Sequence, residues 1–383
     1  MTVIEKSDFA SWKRPSENFH AHFDCFSGAA GDMLLASCLD SCENGDEQQR
    51  LLDHVQYCLK KGMAELETEF NIKVERVWKG MGSIAGLKVS VDSKFEHAPA
   101  PVPSNRPIED SHSHSHEHGH GHEHDHKHES NHENGHDHVH SHDPDHHHKH
   151  SHSQNDEAMN DTSHSHSHNH ESETSHSHSH SHGHAHSHNH GEGDSKKLRN
   201  LPEIQRLLEE ASDEYIDPWV RSNAIAAFTE LAKAEAHTHG VESVESVHFH
   251  EVGAIDSIVD TVGTLVALHA MGVKSVSCSR LPIGEGMVWT DHGLLPVPAP
   301  ATLRLLIDMP ICKGPPGTTG ELVTPTGAAL LRALTLPSIK QNDNIPGRPP
   351  DNFVIRRVGI GAGTKEFSKH PNILRVFIGN ISA

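Results

Sequence analysis

Apolar residues recur along this chain at two spacings, every third or fourth position and every second, and the switches between them lay out its elements. Strand character runs from His22 to Phe26, Gly28 and Gly31 turn the chain, and Met33, Leu34, Leu35, Cys38 and Leu39 then follow at helical spacing. A second helix is expected over 48–60, with Leu51, Leu52, Val55 and Leu59 on its inner face. The period then falls to two, at Phe70, Ile72 and Val74 and again at Leu87, Val89 and Val91, which predicts two paired strands. Helices return in "LPEIQRLLEEA" and in "DPWVRSNAIAAFTELAKAEAH", where Pro218 suits a first turn behind an Asp217 cap. "VHFH" reads as a strand, and Ile255, Ile258, Val259, Val262, Leu265 and Val266 form the buried stripe of the helix after it. A strand from Lys274 to Ser279, helices starting in "VPAPATLRLLID" and "TPTGAALLRAL", and strands in "FVIRRVGIG" and "ILRVFIGN" complete the pattern. Strands and helices interleave without a regular βαβ repeat, so the expected class is α+β, with mixed strands and helices in one compact core.

The pattern stops from about Asp92 to Lys197. That stretch has almost no aliphatic side chains to offset the entropy of ordering, so it is expected to be a long disordered insertion in the core. From His112 to His190 it holds 31 of the chain's 42 histidines. Between Glu109 and Asp194, seventeen acidic residues against Lys127 and Lys149 give about −15 of the formal net charge of −21. The expected organisation is a flexible N-terminal extension over 1–19, a first core part over 20–91, a His-rich metal-binding insertion over 92–197 and a second core part over 198–383. No basic stripe with interleaved aromatics suggests a nucleic-acid partner. No apolar run approaches the ~18 residues of a membrane span, and the N-terminus lacks the apolar stretch of a secretory signal. The six cysteines follow no CxxC spacing and read as reduced thiols, with Cys25 expected to be buried and inert. A cytoplasmic protein is expected, with an organelle address in the first 19 residues left open.

The insertion has the clearest chemistry. Repeats such as His112, His114 and His116, the run His146, His147 and His148, and His176, His178 and His180 put imidazoles at alternate or adjacent places on a pliable backbone. Several can wrap one ion, and imidazole suits zinc, copper and nickel alike. The bland alternative is a solvated spacer, which composition of this kind disfavours. In "VHFHEVGAIDSIVDTVG", His248 and His250 share one face of the expected strand, while Glu251 faces the other way. Asp256 and Asp260 lie one helical turn apart on a stripe continued by Gly263 and Ala267, where small residues admit a ligand or another backbone. These groups form a mixed N/O metal site, or else a helix whose first-turn carboxylate is favoured by the macrodipole and whose histidines satisfy buried hydrogen bonds; spacing favours neither. Other candidates are His22, Asp24 and Asp32 around the Gly28 to Gly31 turn, and Thr324, Thr326 and Gly327 at the start of another helix. Both helix starts can receive an anion, and Asp32 or the threonines can instead be plain caps. Glu285, Asp291 and His292 lie in a connection rich in glycine and proline, where a lone histidine is usually only a surface residue.

Taken in order, "HFDCFSGAAGDMLLASCLD", "AKAEAHTHG", "VHFHEVGAIDSIVDTVG", "LPIGEGMVWTDHGLLPVPAPATLRLL", "ELVTPTGAALL" and "GIGAGTKEF…HPNILRV" resemble the nickel insertion protein of the lactate racemase cofactor pathway. The resemblance covers residues 20 to 380 apart from the tract, and a His-rich insertion at this place is itself a family feature. It implies a nickel chelatase, of the lyase class, that places Ni(II) into pyridinium-3,5-bisthiocarboxylic acid mononucleotide to form a sulfur–carbon–sulfur pincer. It also implies dependence on CTP with manganese or magnesium. Asp256, Asp260, Glu251 and His292 are then the candidates for catalysis. Gly28, Gly31, Asp32, Thr324, Thr326 and Gly327 are candidates for the nucleotide's phosphate, and His248, His250, His22, Asp24 and the tract for the metal. One departure stands out: family members continue into a domain with an "ETNIDDM"-like segment associated with CTP, whereas this chain ends at "IGNISA". The expected partners are therefore the mononucleotide, a separate polypeptide supplying that domain or the lactate racemase apoprotein, and further copies of the chain. Two other classes compete: a nickel or zinc storage or delivery protein, and a metal-dependent phosphate hydrolase.

Overall fold

A computed structural model describes residues 12–81, 83–94, 198–247, 249, 254–290, 292–340 and 347–382. The tract histidines named above fall outside the described residues, as do His248, His250, Glu251 and Asp291.

Strand β1 (Phe19–Asp24) leads through the glycine turn into α1 (Gly31–Asp40). Helix α2 (Gly45–Gly62) starts behind Asn44, whose side chain accepts from the Glu47 N–H, and buries Leu51, Leu52, Val55, Cys58 and Leu59. The two alternating segments pair as β2 (Phe70–Lys79) and β3 (Ile84–Ser93). Beyond the tract come α3 (Leu201–Glu209), closed by a capping box between Asn200 and Glu203, and α4 (Pro218–His239), capped by Asp217 and ended by Gly240 in the left-handed region. Next are α5 (Ile255–Ala270), β4 (Val273–Cys278), β5 (Leu281–Ile283), β6 (Met287–Thr290), β7 (Gly293–Pro296), α6 (Pro300–Leu305), β8 (Ile311–Lys313), α7 (Pro325–Lys340), β9 (Phe353–Ala362) and β10 (Ile373–Ile381).

The main sheet has the order β2-β3-β9-β10-β1-β4. It is mixed, since β1 runs antiparallel to β10 and parallel to β4, and β3 meets β9 in parallel, which is consistent with the expected α+β class. Elements from both sides of the tract thus share one sheet. Helices α1, α5 and α7 pack on it. One face of the central strands presents Ala21, Phe23, Leu374, Val376 and Ile378, all fully buried. The opposite face carries His22 beside Phe377 and Asp24 beside Arg375. The "GIGAG" run explains how α1 lies so close: a Cβ at Gly359 would stand 1.9 Å from Ser37 O, and one at Gly361 2.0 Å from Met33 O. Only glycine at both positions lets helix backbone rest on strand backbone.

One expectation needs correction. "VHFH" was expected as a strand, but a short 3-10 turn, Val244–Ser246, precedes it, and neither Val247 nor Phe249 is in a strand. Both are nonetheless buried, at 2% and 1% exposure, so the alternation marks burial without a pairing ladder. Of the N-terminal extension, residues 1–11 lie outside the described residues; beyond them Trp12 stacks on His54 and donates its indole N–H to Ala270 O at 2.8 Å, and Arg14 lies 2.7 Å from His269 Nε2.

Candidate functional site

Three chain-distant segments converge at the amino end of α1. A Cβ on Gly31 would lie 2.7 Å from Asp260 Cβ, 2.9 Å from Asp260 Oδ2 and 3.1 Å from Thr326 Cγ2. One on Gly327 would lie 2.4 Å from Ala29 O, and one on Gly28, at φ +139°, 2.1 Å from Leu322 O. The two turns are stitched together by Ala29 N–H donating to Leu322 O at 3.0 Å and Thr324 N–H donating to Ala29 O at 2.9 Å. Thr324 Oγ1 accepts from Gly327 N–H at 3.2 Å and so caps α7, while Thr326 Oγ1 lies 3.4 Å from Ser257 Oγ. The structure therefore brings together Gly28, Gly31, Asp32, Asp256, Asp260, Thr324, Thr326 and Gly327. Asp32 is not the helix cap: Ala30 holds that position, and Asp32 Oδ1 accepts from Met33 N–H at 2.9 Å.

The electrostatics of this junction are strained. Burial raises the Asp32 carboxyl to about 6; the Met33 N–H and Lys88 oppose the shift, and nearby Asp256 adds to it. Burial, then Asp32, then Asp256 push Asp260 well above the usual carboxylate range. Asp260 Oδ1 is buried with no hydrogen-bond partner among the described residues. Like charges gathered out of water favour a proton or a cation among them. Asp32 and Asp256 also sit in the first turns of α1 and α5. Beside Asp32 opens a cavity of about 240 Å³, with Thr324, Glu321 and Lys365 also on its wall. Lys365 was not singled out in the sequence, although the "GTKEF" motif contains it. Burial lowers its pKa, with Glu321 opposing.

The other candidates fall elsewhere. His22 Nδ1 lies 2.8 Å from Ser277 Oγ, and burial lowers its pKa to about 4, with Asp24 opposing. Asp24 is paired with Arg375. Both side chains thus have protein partners. His292 follows the β6 strand, and its ring lies 4.8 Å from that of His239, centroid to centroid. His239 Nε2 is in turn 3.5 Å from Glu235 Oε2. Gly263 and Ala267 continue the Asp256 and Asp260 stripe as expected, but the space over Gly263 is filled by Leu35 and Val55 of α1 and α2. Cys25 is buried, and all six thiols are free. Among the described residues no three His, Cys, Asp or Glu side chains are grouped so as to hold a metal ion. Nor is any helix long and apolar enough to cross a membrane.

Comparison with known proteins bears on this arrangement. Among the proteins that align with the chain are three that carry the name "Putative nickel insertion protein": that of Myxococcus xanthus is 44% identical over 184 residues, 48% of this chain and 43% of that protein. The Geobacter metallireducens protein is 48% identical over 181 residues, 47% of this chain and 43% of that protein. The Pelobacter propionicus protein is 51% identical over 160 residues, 42% of this chain and 38% of that protein. The chain thus matches less than half the length of these relatives. No solved structure matches it. The nickel insertion protein family model matches residues 21–383, which include every converging segment described above, and the chain belongs to that family.

Proposed function

We propose that this chain performs the metal-handling part of nickel insertion, delivering Ni(II) to pyridinium-3,5-bisthiocarboxylic acid mononucleotide, with CTP and manganese or magnesium as co-reactants. The observation that carries this reading is the Asp32, Asp256 and Asp260 junction beside a cavity, with Asp260 Oδ1 buried and unpartnered. The three carboxylates are not by themselves grouped as a ligand set, so the junction is a transfer point that needs further donors. Carboxylate oxygens are hard donors that hold nickel less firmly than thiocarboxylate sulfurs, so the metal passes from oxygen to sulfur downhill. Forming the carbon–nickel bond of a pincer expels the proton of the ring carbon. A carboxylate with its pKa near 6 is suited to accept it at neutral pH. The His-rich tract supplies the ion, and His248, His250 and Glu251 are proposed to complete the donor set.

The test combines purified protein, nickel, CTP and the mononucleotide, with and without a separately expressed C-terminal domain from a full-length relative. Nickel retained on the small molecule after the protein is removed is the expected result, and Asp260→Asn is expected to cut the rate by at least roughly a hundredfold if it acts as ligand or base. Unchanged metallation in that variant would place the chemistry elsewhere. The 31 histidines from His112 to His190 favour a second reading, metal storage or delivery alone. In that case replacing the tract abolishes function even when nickel is plentiful.

A further inference from the structure

On the other side of the β1–α1 turn lies a second concavity, of about 750 Å³. Its walls begin where parallel strands β1 and β4 end: Cys25 and Phe26 follow β1, and Ser279 and Arg280 follow β4. The crevice beyond the carboxyl ends of parallel strands is where open sheets receive ligands. Lys313, at the end of β8, and Lys369, from the loop between β9 and β10, add two more cations. A chain of net charge −21 has therefore collected three positive side chains around one cleft. Asp24, the acidic residue of that lining, is neutralised by Arg375. Lys313 has a loose pairing with Glu285 at 3.4 Å, both side chains being exposed. Arg280 and Lys369 have no ion-pair partner among the described residues, and the Lys369 stem lies across the turn at Gly317.

The cleft also has an aromatic side. Phe26 is 42% exposed at its edge. Behind it His370, only 8% exposed, stacks on Phe367 at 4.6 Å and meets Phe26 edge-on at 5.9 Å. Its Nδ1 lies 3.2 Å from Pro371 O, and its Nε2 is buried without a hydrogen-bond partner among the described residues. A guanidinium fork and an ammonium point charge together suit a phosphate dianion, and the volume is in the range of single small-molecule sites.

We infer that this cleft binds an aromatic mononucleotide, with Arg280 and Lys369 on its phosphate and Phe26 against its flat ring. The identity of that ligand as the nickel acceptor rests on the function proposed above. The β9–β10 loop walls both concavities, with Lys365 in one and Lys369 in the other.

The test titrates the full chain with nicotinic acid mononucleotide, with its nucleoside and with inorganic phosphate. The nucleotide is expected to bind at least about tenfold more tightly than either of the other two, since each lacks half of the recognised chemistry. Arg280→Gln and Lys369→Gln are each expected to weaken the nucleotide about tenfold and to leave the nucleoside unchanged. Both side chains are exposed, so the thermal midpoint should not move. Equal affinity for nucleotide and nucleoside, or a double variant that binds the nucleotide like the parent, would overturn the cleft. Inorganic phosphate binding as tightly as the nucleotide would overturn its aromatic half. Nickel transfer assays separate the two proposals. Phosphate-dependent nucleotide binding in a protein that never metallates the acceptor supports the cleft and sinks the insertion reading. Unchanged KM for the acceptor in the double variant does the reverse.

Discussion

Gly31 has space for a hydrogen and no more. In Gly31→Ala the new methyl must displace Asp260 or Thr326, both within about 3 Å of it. Overpacking of this kind costs about 1–3 kcal/mol, so urea denaturation should show a loss in that range. Binding of divalent cations by a tract-deleted chain should fall with it, because Asp260 is the side chain nearest the new methyl. A second residue-scale prediction concerns His20 and His22. Burial lowers both to about 4; His22 lowers His20 further, and Asp24 opposes the shift of His22. Unfolded histidine takes its proton near 6.5, so between that pH and about 4 the unfolded chain binds more protons than the folded one. Stability from these two sites is therefore fully present above pH 6.5 and is lost as the pH falls to about 4. Each contributes on the order of 1–3 kcal/mol. The slope of stability against pH over that window should flatten in His20→Gln and His22→Gln; an unchanged slope would show that the rings do not titrate with unfolding. Sequence pattern had offered His22 as a metal ligand. It could not show Ser277, which reaches the ring only because β4 lies parallel to β1.

Among the elements, β2, β3 and α3 explain how the core tolerates a tract of such length. Glu69, just before β2, receives the backbone N–H of Lys94 on its carbonyl at 2.9 Å, and its carboxylate pairs with Arg199 at 2.5 Å. Lys94 is the last described residue before the tract, and Arg199 the second after it. One residue thus fastens both ends. The Arg199 and Glu69 side chains are 3% and 9% exposed, so removing one leaves the other charged and buried. Glu69→Ala should cost about 3–5 kcal/mol in a denaturation experiment. A loss below about 1 kcal/mol would mean that water already reaches Arg199. The elements themselves were largely legible. Asn200 with Glu203 and Asp217 with Pro218 announce helix starts because capping is a local, covalently near interaction. "VHFH" misled for a related reason: period-two burial at Val247 and Phe249 says which residues face inward, and a strand also needs a neighbour to pair with.

For the whole molecule, the clamp at Glu69 means that residues 95–197 can be replaced by a short Gly/Ser linker without stretching the core. The thermal midpoint should stay within a few degrees of the parent. Nickel stoichiometry, measured by calorimetry, should fall from many ions per chain to a few or one. Acceptor metallation should persist when nickel is in excess. A chain that no longer folds would show that the tract is structural, and one that folds but fails at high nickel would favour storage over insertion. What the sequence alone determined is local or compositional: the helices and strands, the class of fold, the imidazole content of the tract, and the one-turn spacing of Asp256 and Asp260. These depend on neighbours within a few residues, or on totals. Only the tertiary structure decided that Gly31, Asp260 and Thr326 meet at the amino end of α1, and that Arg280 and Lys369 share a cleft at the ends of β1 and β4. These partners are up to nearly three hundred residues apart, and no periodicity in a chain records which strand will lie beside which. That choice is made by the core as a whole, when the glycines of β9 let α1 settle onto the sheet.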